Sequence, residues 1–365
     1  MKRHNRLKKH TLGLAAALLM PAGMSQIALA GDSVYVNTSS LRYRTSAQIK
    51  DNNIAGNLSY GQKLERVGTS GQWTMILLNG KKYYVSSAYV TSKKPASAGA
   101  VQTTSQTAAG AQTSGGTAIA LSSNYKYANY SKINSGTATL YRSTASNKKN
   151  KVVCVNAGHG TNGGGSVKTQ CHPDGSAKVT GGTTGAGATS AVAVSSGMTF
   201  ADGTAESKVT LAMAKVLKTK LLNAGYDVLM IRESDDVQLD NIARTVIANN
   251  NADCHIALHW DSTSSNKGAF FMSVPSNATY RAMEPVASHW KQHNQLGESL
   301  ISGLKSAGVK IYSKGSMEMD LTQTSYSTIP SVDIELGDKA SDHSGATLET
   351  LANGLLAGVN TFFGQ

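Results

Sequence analysis

Two imidazoles and two carboxylates stand where this chain could do chemistry. His159 lies between Gly158 and Gly160, at the end of the apolar run 152–156. Small neighbours there let an ion and a bulky substrate approach the backbone. Glu206 comes 47 residues later and opens a helical pattern. His259 follows after 53 more, at the end of another apolar run, and Glu335 after a further 76, ending a third. Two imidazoles and one carboxylate leave a fourth coordination position open, which is the catalytic rather than the structural zinc pattern. A second carboxylate beside the ion could act as general base. The chain has nine histidines, and any one of them alone reads more simply as a hydrogen-bonded core or loop residue. Spacing by itself leaves both readings open.

Other motifs carry less. Residues 158–163 match the glycine fingerprint of a dinucleotide site, but a long Gly/Ser/Thr-rich stretch follows where a helix should open. Without that helix N-terminus there is no prepared pyrophosphate site. His289 and His293 are four apart on an expected helix, with Trp290 where a zincin helix needs glutamate, so they read as a solvated face. His255 sits inside a strand and reads as structural. Cys154 and Cys254 read as buried thiols, Cys171-His172 as an ordinary loop pair, and His343 as a weak candidate for substrate contact.

Positioning these residues requires strands and helices in alternation. Strands are expected over 152–156, 227–231, 255–259 and 331–335, and helices over 207–224, 239–249, 295–307 and 346–363. That order predicts an α/β domain with a largely parallel sheet flanked by helices. Sites in such sheets lie beyond the C-terminal strand ends, where His159, His259 and Glu335 fall. Residues 124–150 regain Tyr and Leu and are expected to pack onto this domain, so the catalytic unit is taken as 124–365. Ahead of it, 95–123 contain no charged residue and are dominated by Ala, Ser, Thr, Gly and Gln, so 93–123 are expected to be a flexible linker. Residues 31–92 read as a small all-β barrel of short strands (33–37, 63–67, 73–77, 82–85), with turn signals at Ser70-Gly71 and Asn79-Gly80.

The chain has 365 residues, three cysteines and 16% charged residues. Three cysteines exclude a disulfide scaffold and a four-cysteine zinc site. Lys2, Arg3, Arg6, Lys8 and Lys9, the apolar run 12–20 and Ala28-Leu29-Ala30 read as a secretory signal over 1–30, cleaved after Ala30. The apolar run falls short of the ~20 residues a membrane span needs, and no later run is long enough. Residues 31–92 hold seven basic and three acidic residues, and 93–150 hold seven basic and none acidic. Residues 151–365 hold 16 basic and 19 acidic residues and are slightly acidic. Such a distribution suits tethering to an anionic polymer outside the cell and does not suit nucleic-acid binding by the C-terminal domain.

Two resemblances sharpen this reading. Leu41-Arg42-Tyr43-Arg44, Gly61-Gln62-Lys63-Leu64, Trp73 and Tyr84-Val85-Ser86-Ser87-Ala88-Tyr89-Val90 resemble the bacterial Src-homology-3-like (SH3-like) wall-binding module. In the C-terminal domain, Val155-Asn156-Ala157-Gly158-His159-Gly160, the helix opening at Glu206, the run from Gly225 to Asp235, Leu239 through Arg244 to Asn249, Ala257-Leu258-His259 and Pro330-Ser331-Val332-Asp333-Ile334-Glu335-Leu336-Gly337 occur in order. Together they resemble the zinc-dependent N-acetylmuramoyl-L-alanine amidases of the amidase-3 type. The family usually has Asn two residues after the second histidine ligand, where this chain has Asp261. It also lacks the Gly-rich insertion 160–205, which could form a cleft wall or cover the metal. The usual hydrophobic-Asn loop after the last glutamate is replaced by 338–343.

The resemblance implies one Zn2+ per catalytic domain, held by His159, Glu206 and His259, with Glu335 as the catalytic carboxylate. It implies an exported, wall-associated peptidoglycan hydrolase that cuts the amide between N-acetylmuramic acid and L-alanine with zinc-activated water. Peptidoglycan is the expected partner, with anionic wall polymers engaged by the basic N-terminal part. A zinc peptidase of stem peptides and a non-catalytic wall-binding protein are the competing expectations.

Overall fold

The computed structural model describes residues 32–36, 40–48, 53–59, 61–94 and 115–365. The expected signal (1–30) and most of the expected linker lie outside the described residues. The chain divides into two units, one on each side of residues 107–108.

The N-terminal unit is an antiparallel sheet of β1 (Asp32–Val36), β2 (Ser40–Arg44), β3 (Ile54–Ser59), β4 (Lys63–Ser70), β5 (Trp73–Leu78), β6 (Lys81–Ser86) and β7 (Val90–Thr91). Their order across the sheet is β3-β2-β6-β5-β4-β1-β7. Asn79 and Gly80 both have positive φ and close a two-residue hairpin between Leu78 and Lys81. That is the turn an Asn-Gly pair favours between twisted strands. The inward residues Val34, Val36, Leu58, Leu64, Ile76 and Val85 form the unit's core.

The larger unit is built on a sheet of β8 (Thr117–Ala120), β9 (Thr137–Tyr141), β10 (Val152–Ala157), β13 (Asp227–Met230), β14 (Cys254–Asp261), β15 (Ala269–Ser273), β16 (Ile311–Glu318) and β17 (Ser331–Asp338). A separate hairpin pairs β11 (Lys168–Gln170) with β12 (Ser190–Val192). The main order is β16-β15-β17-β14-β10-β13-β9-β8. The sheet is mixed, which corrects the expectation of a largely parallel one. Only the central ladder β17-β14-β10-β13 and the edge pair β15-β16 are parallel. β15 runs antiparallel to β17, and β9 and β8 run antiparallel to their neighbours. Seven residues join β14 to β15. A parallel crossover takes a dozen or more, so so short a connection sends the chain back.

β8 lies inside the stretch whose composition reads as linker. Its alternation is weak, and it is ordered by pairing with β9, with Thr117 opposite Leu140 and Ile119 opposite Ala138. Tyr125, Tyr127 and Tyr130 pack beside Tyr326, Ile242 and Val246.

Helices cover both faces. α1 (Glu206–Asn223), α4 (Val286–Ser306) and α6 (Gly345–Phe363) lie on one, and α2 (Asn241–Asn251) and the short α5 (Thr322–Tyr326) on the other; the short α3 (Ala278–Ala282) precedes α4. β10 shows why its sequence is an unbroken apolar run. Val153 and Val155 face α1, while Cys154 faces Leu239, Ala243 and Ile247 around α2, so neither face meets water. α4 begins at Val286, well before the expected 295, because its first turns cover Val274 and Tyr280 rather than continuing the main apolar stripe. Among the described residues no helix is long and apolar enough to cross a membrane.

Candidate active site

The central parallel strands end at one edge, and their ends carry the candidate residues. His159 follows β10 with φ 63° and Gly160 follows with φ 71°, so two left-handed residues turn the chain sharply out of the sheet. For a residue with a Cβ this conformation costs roughly 1–2 kcal/mol. The turn is held by two buried guanidinium groups. Arg232 donates to the carbonyls of Ala157 and Gly158, and Arg244 to those of Ala157 and His159. His159 Nδ1 lies 2.8 Å from the carbonyl of Ser195 and donates to it. Its Nε2 therefore presents a lone pair to the opposite side.

Glu206, the first residue of α1, lies on that side, only 2% exposed. The helix N-terminus favours negative charge there. Its Oε2 accepts from the Met198 amide at 2.8 Å and its Oε1 from the Trp260 amide at 3.0 Å. Oε1 also stands 2.9 Å from His159 Nε2 and 3.2 Å from His259 Nδ1. Burial opposes the charge on Glu206, but hydrogen bonds and attraction from both histidines outweigh it and hold the carboxyl far below its usual range.

His259 Nδ1 is 3.0 Å from His159 Nε2. Burial pulls the His259 imidazolium down, yet Asp333, Glu206 and Glu335 together lift it to about 10. Two glycines make room for the cluster. A Cβ on Gly158 would stand 2.3 Å from His259 Cε1, and one on Gly197 would stand 2.8 Å from both Glu206 Oε2 and His159 Cδ2. Donor atoms of His159, Glu206 and His259 all lie within 4.8 Å of one another. With His159 Nδ1–H spent on Ser195, the facing lone pairs repel unless a proton or a cation sits among them. The set fits a divalent ion bound by two imidazoles and one carboxylate with a position left open.

Glu335 stands opposite His259 in the β14–β17 ladder. It is 8% exposed, and its Oε2 has no partner. Burial, then the neighbouring Asp333 charge, pushes its carboxyl well above the usual range. A buried acid without a partner costs stability and persists where it has a task. All four residues line one cleft of about 450 Å³.

The insertion 160–205 forms a wall of that cleft. Thr183, Thr184, Val192, Ser195 and Met198 line it, and so do Met319–Thr322, which pack against the insertion at Gly182. A buried staple joins these two segments. His172 Nε2 lies 2.9 Å from Asp320 Oδ1, Lys178 pairs with the same carboxylate, and the Val179 amide donates to Oδ2 at 2.7 Å. His172 is thus no ordinary loop residue, a role its sequence neighbours did not signal.

The remaining candidates are dispersed. After Gly163 comes a short 3-10 turn at Gly164–Ser166 and no α-helix until Glu206, so the glycine fingerprint is a turn. Cys154, Cys171 and Cys254 are free, buried thiols. His255 is buried beside Asn156, and burial pulls it down to about 3. His293 does not face solvent; it is buried, accepts from the Ser331 amide at 3.0 Å and is likewise drawn down to about 3. His343 rests on Phe200, outside the cleft lining. Sequence reasoning missed Asp333 and the Ser195 carbonyl. Asp333 was findable, because it sits two residues before Glu335 and so shares its face of the strand.

Two imidazoles and a carboxylate converging beside a buried acid, at the C-terminal edge of a helix-flanked sheet, define a candidate metallohydrolase centre. The chain belongs to the Amidase_3 family, described as N-acetylmuramoyl-L-alanine amidase, whose family model matches residues 153–353. No curated protein matches it. Similar solved structures include the N-acetylmuramyl-L-alanine amidase Ami1 from Mycobacterium smegmatis, at 17% identity, covering 59% of this chain and 97% of that one with a TM-score of 0.48. An N-acetylmuramoyl-L-alanine amidase from Clostridium difficile 630 is 18% identical over 59% of this chain and 97% of its own, with a TM-score of 0.42. AmiC2 of Nostoc punctiforme is 15% identical over 60% of this chain and 99% of its own, with a TM-score of 0.42.

Proposed function

We propose that this peptidoglycan amidase is an exported zinc enzyme that cleaves the bond between N-acetylmuramic acid and the L-alanine of the stem peptide. The observation that carries the reading is the convergence of His159, Glu206 and His259 donor atoms beside the unpartnered acid of Glu335. His159, Glu206 and His259 would hold the ion. When bound there, zinc supplies Lewis acidity toward the scissile carbonyl and makes a water acidic enough to react near pH 7. Glu335 takes the proton of the attacking water and returns it to the alanine nitrogen as the C–N bond breaks. A divalent charge in the cluster favours the ionised form of Glu335 that this requires. Gly158 and Gly197 leave the room that the side chains of His159, Glu206 and His259 need to converge.

Residues 31–92 would serve as an SH3-like wall-binding module after removal of the signal 1–30. Their basic charge and that of the linker favour anionic wall polymers, placing the enzyme at the cell wall. The test is metal analysis of the purified chain together with product analysis on isolated walls. Zinc near one equivalent and peptides bearing a free L-alanine amine, with intact glycan, are the expected results. Shortened stems would replace this reading by a peptidase, and an absence of products by a binding protein.

A further inference from the structure

The two ring nitrogens of His259 face different neighbours. Nδ1 lies 3.0 Å from His159 Nε2 and 3.2 Å from Glu206 Oε1, within the donor cluster. Nε2 faces away and lies 3.6 Å from Asp333 Oδ2. The ring packs against the backbone of Gly158, where a Cβ would come within 2.3 Å of it. Asp333 is delivered by the parallel register that sets Ala257 opposite Asp333 and His259 opposite Glu335. Strand alternation then turns Asp333 and Glu335 toward the same cleft. The other carboxylate oxygen of Asp333, Oδ1, is buried without a partner.

We propose that Asp333 is the positioning residue of this centre. Its carboxylate takes the Nε2–H of His259 and so holds the imidazole in the tautomer whose Nδ1 lone pair faces His159 and Glu206. The inference rests on the zinc reading above and deepens it. A neutral imidazole carries one N–H, and the nitrogen beside the acceptor keeps it. A carboxylate acceptor also makes the opposite nitrogen a stronger ligand. The present separation exceeds a hydrogen bond by about 0.5 Å, and the proposal requires the Asp333 carboxylate to close it when the ion is bound.

The experiment is competition for zinc between the full chain and a chromophoric chelator. Asp333→Leu should bind zinc about 10–100-fold more weakly than wild type, with its unfolding transition kept. Asp333→Asn, whose amide oxygen still accepts, should lie closer to wild type. Proton–nitrogen NMR of the zinc-loaded chain should show the His259 Nε2–H protected from exchange with water in wild type and exchanging much faster in Asp333→Leu. If that variant does not fold, Asp333→Ser, too short to reach the ring, is read in its place. Zinc bound equally by wild type and the Leu or Ser variant overturns this inference alone. A wild-type chain that binds no zinc overturns the proposed function with it.

Discussion

The catalytic unit holds two buried histidine–carboxylate clusters, and they are built to opposite rules. In the staple, every group is answered. Asp320 is fully buried, its two oxygens accept from His172, Lys178 and the Val179 amide, and the other nitrogen of His172 lies 2.8 Å from the Ser176 hydroxyl. In the cleft, lone pairs of His159 and Glu206 face each other while Glu335 Oε2 and Asp333 Oδ1 have no partner. A satisfied network rigidifies what it joins, and a partly satisfied one costs stability. The same residue types thus yield a structural network in one place and the candidate active site in the other, and unmet hydrogen-bonding capacity separates the two.

The comparison can be broken by experiment. Glu335→Ala should lower release of L-alanine termini from purified walls by roughly 10²–10⁴-fold while zinc content is kept. Near wild-type turnover would move Glu335 out of the active centre. His159→Ala should weaken zinc binding by more than the roughly hundredfold seen when only a supporting partner is lost, as read by chelator competition. Asp320→Ala leaves Lys178 and His172 buried without their acid, and should cost about 3–5 kcal/mol. Calorimetry should show this as a lower melting transition of the larger unit, and an unchanged transition would mean the staple holds nothing. Glu335→Leu should act in the reverse direction, stabilising chelator-treated protein by about 1–2 kcal/mol because a buried, unpartnered acid is removed.

The smallest effect is in the pH profiles, where the two acids carry opposite signs. Burial alone would raise Asp320, but the His172 hydrogen bond and the Lys178 charge overcome it and hold the carboxyl below its usual value. Its contribution is therefore complete above an unfolded pKa of about 3.9 and is lost as pH falls through the folded one. Asp320→Asn should flatten the acid limb of a stability profile. Glu335 in metal-free protein is raised. Its folded form keeps a proton that the unfolded chain releases above about 4.3, so stability falls as pH rises from there toward the folded pKa. Glu335→Gln should remove that decline, and a profile unchanged by either substitution would erase the contrast.

Much of the site could be read from the residues because strand ends leave local marks. His159 and His259 each close an apolar run, and Glu206 opens a helix, so their placement at one sheet edge follows from alternation of strands and helices. The outer strands β8, β9, β15 and β16, on either side of the central parallel ladder, left weaker marks. Their residues are ordered mainly by pairing with neighbours distant in sequence, such as Met272 with Met317. β-propensity reflects that context more than any intrinsic preference. His172 and His293 were misjudged for a similar reason, since their partners Asp320 and Ser331 lie 148 and 38 residues away.

Sequence by itself determined which residue types were available and which periodicity carried them, because hydrophobic alternation and chain-breaking glycines act over a few residues. Only the tertiary structure decided which of the seven histidines among the described residues meet a carboxylate with lone pairs unspent, and which are saturated. That outcome depends on register between β10, β14 and β17 and on the close approach allowed at Gly158 and Gly197. Both are settled by packing across the whole domain, where an error of one residue in register would turn Glu335 to the other face.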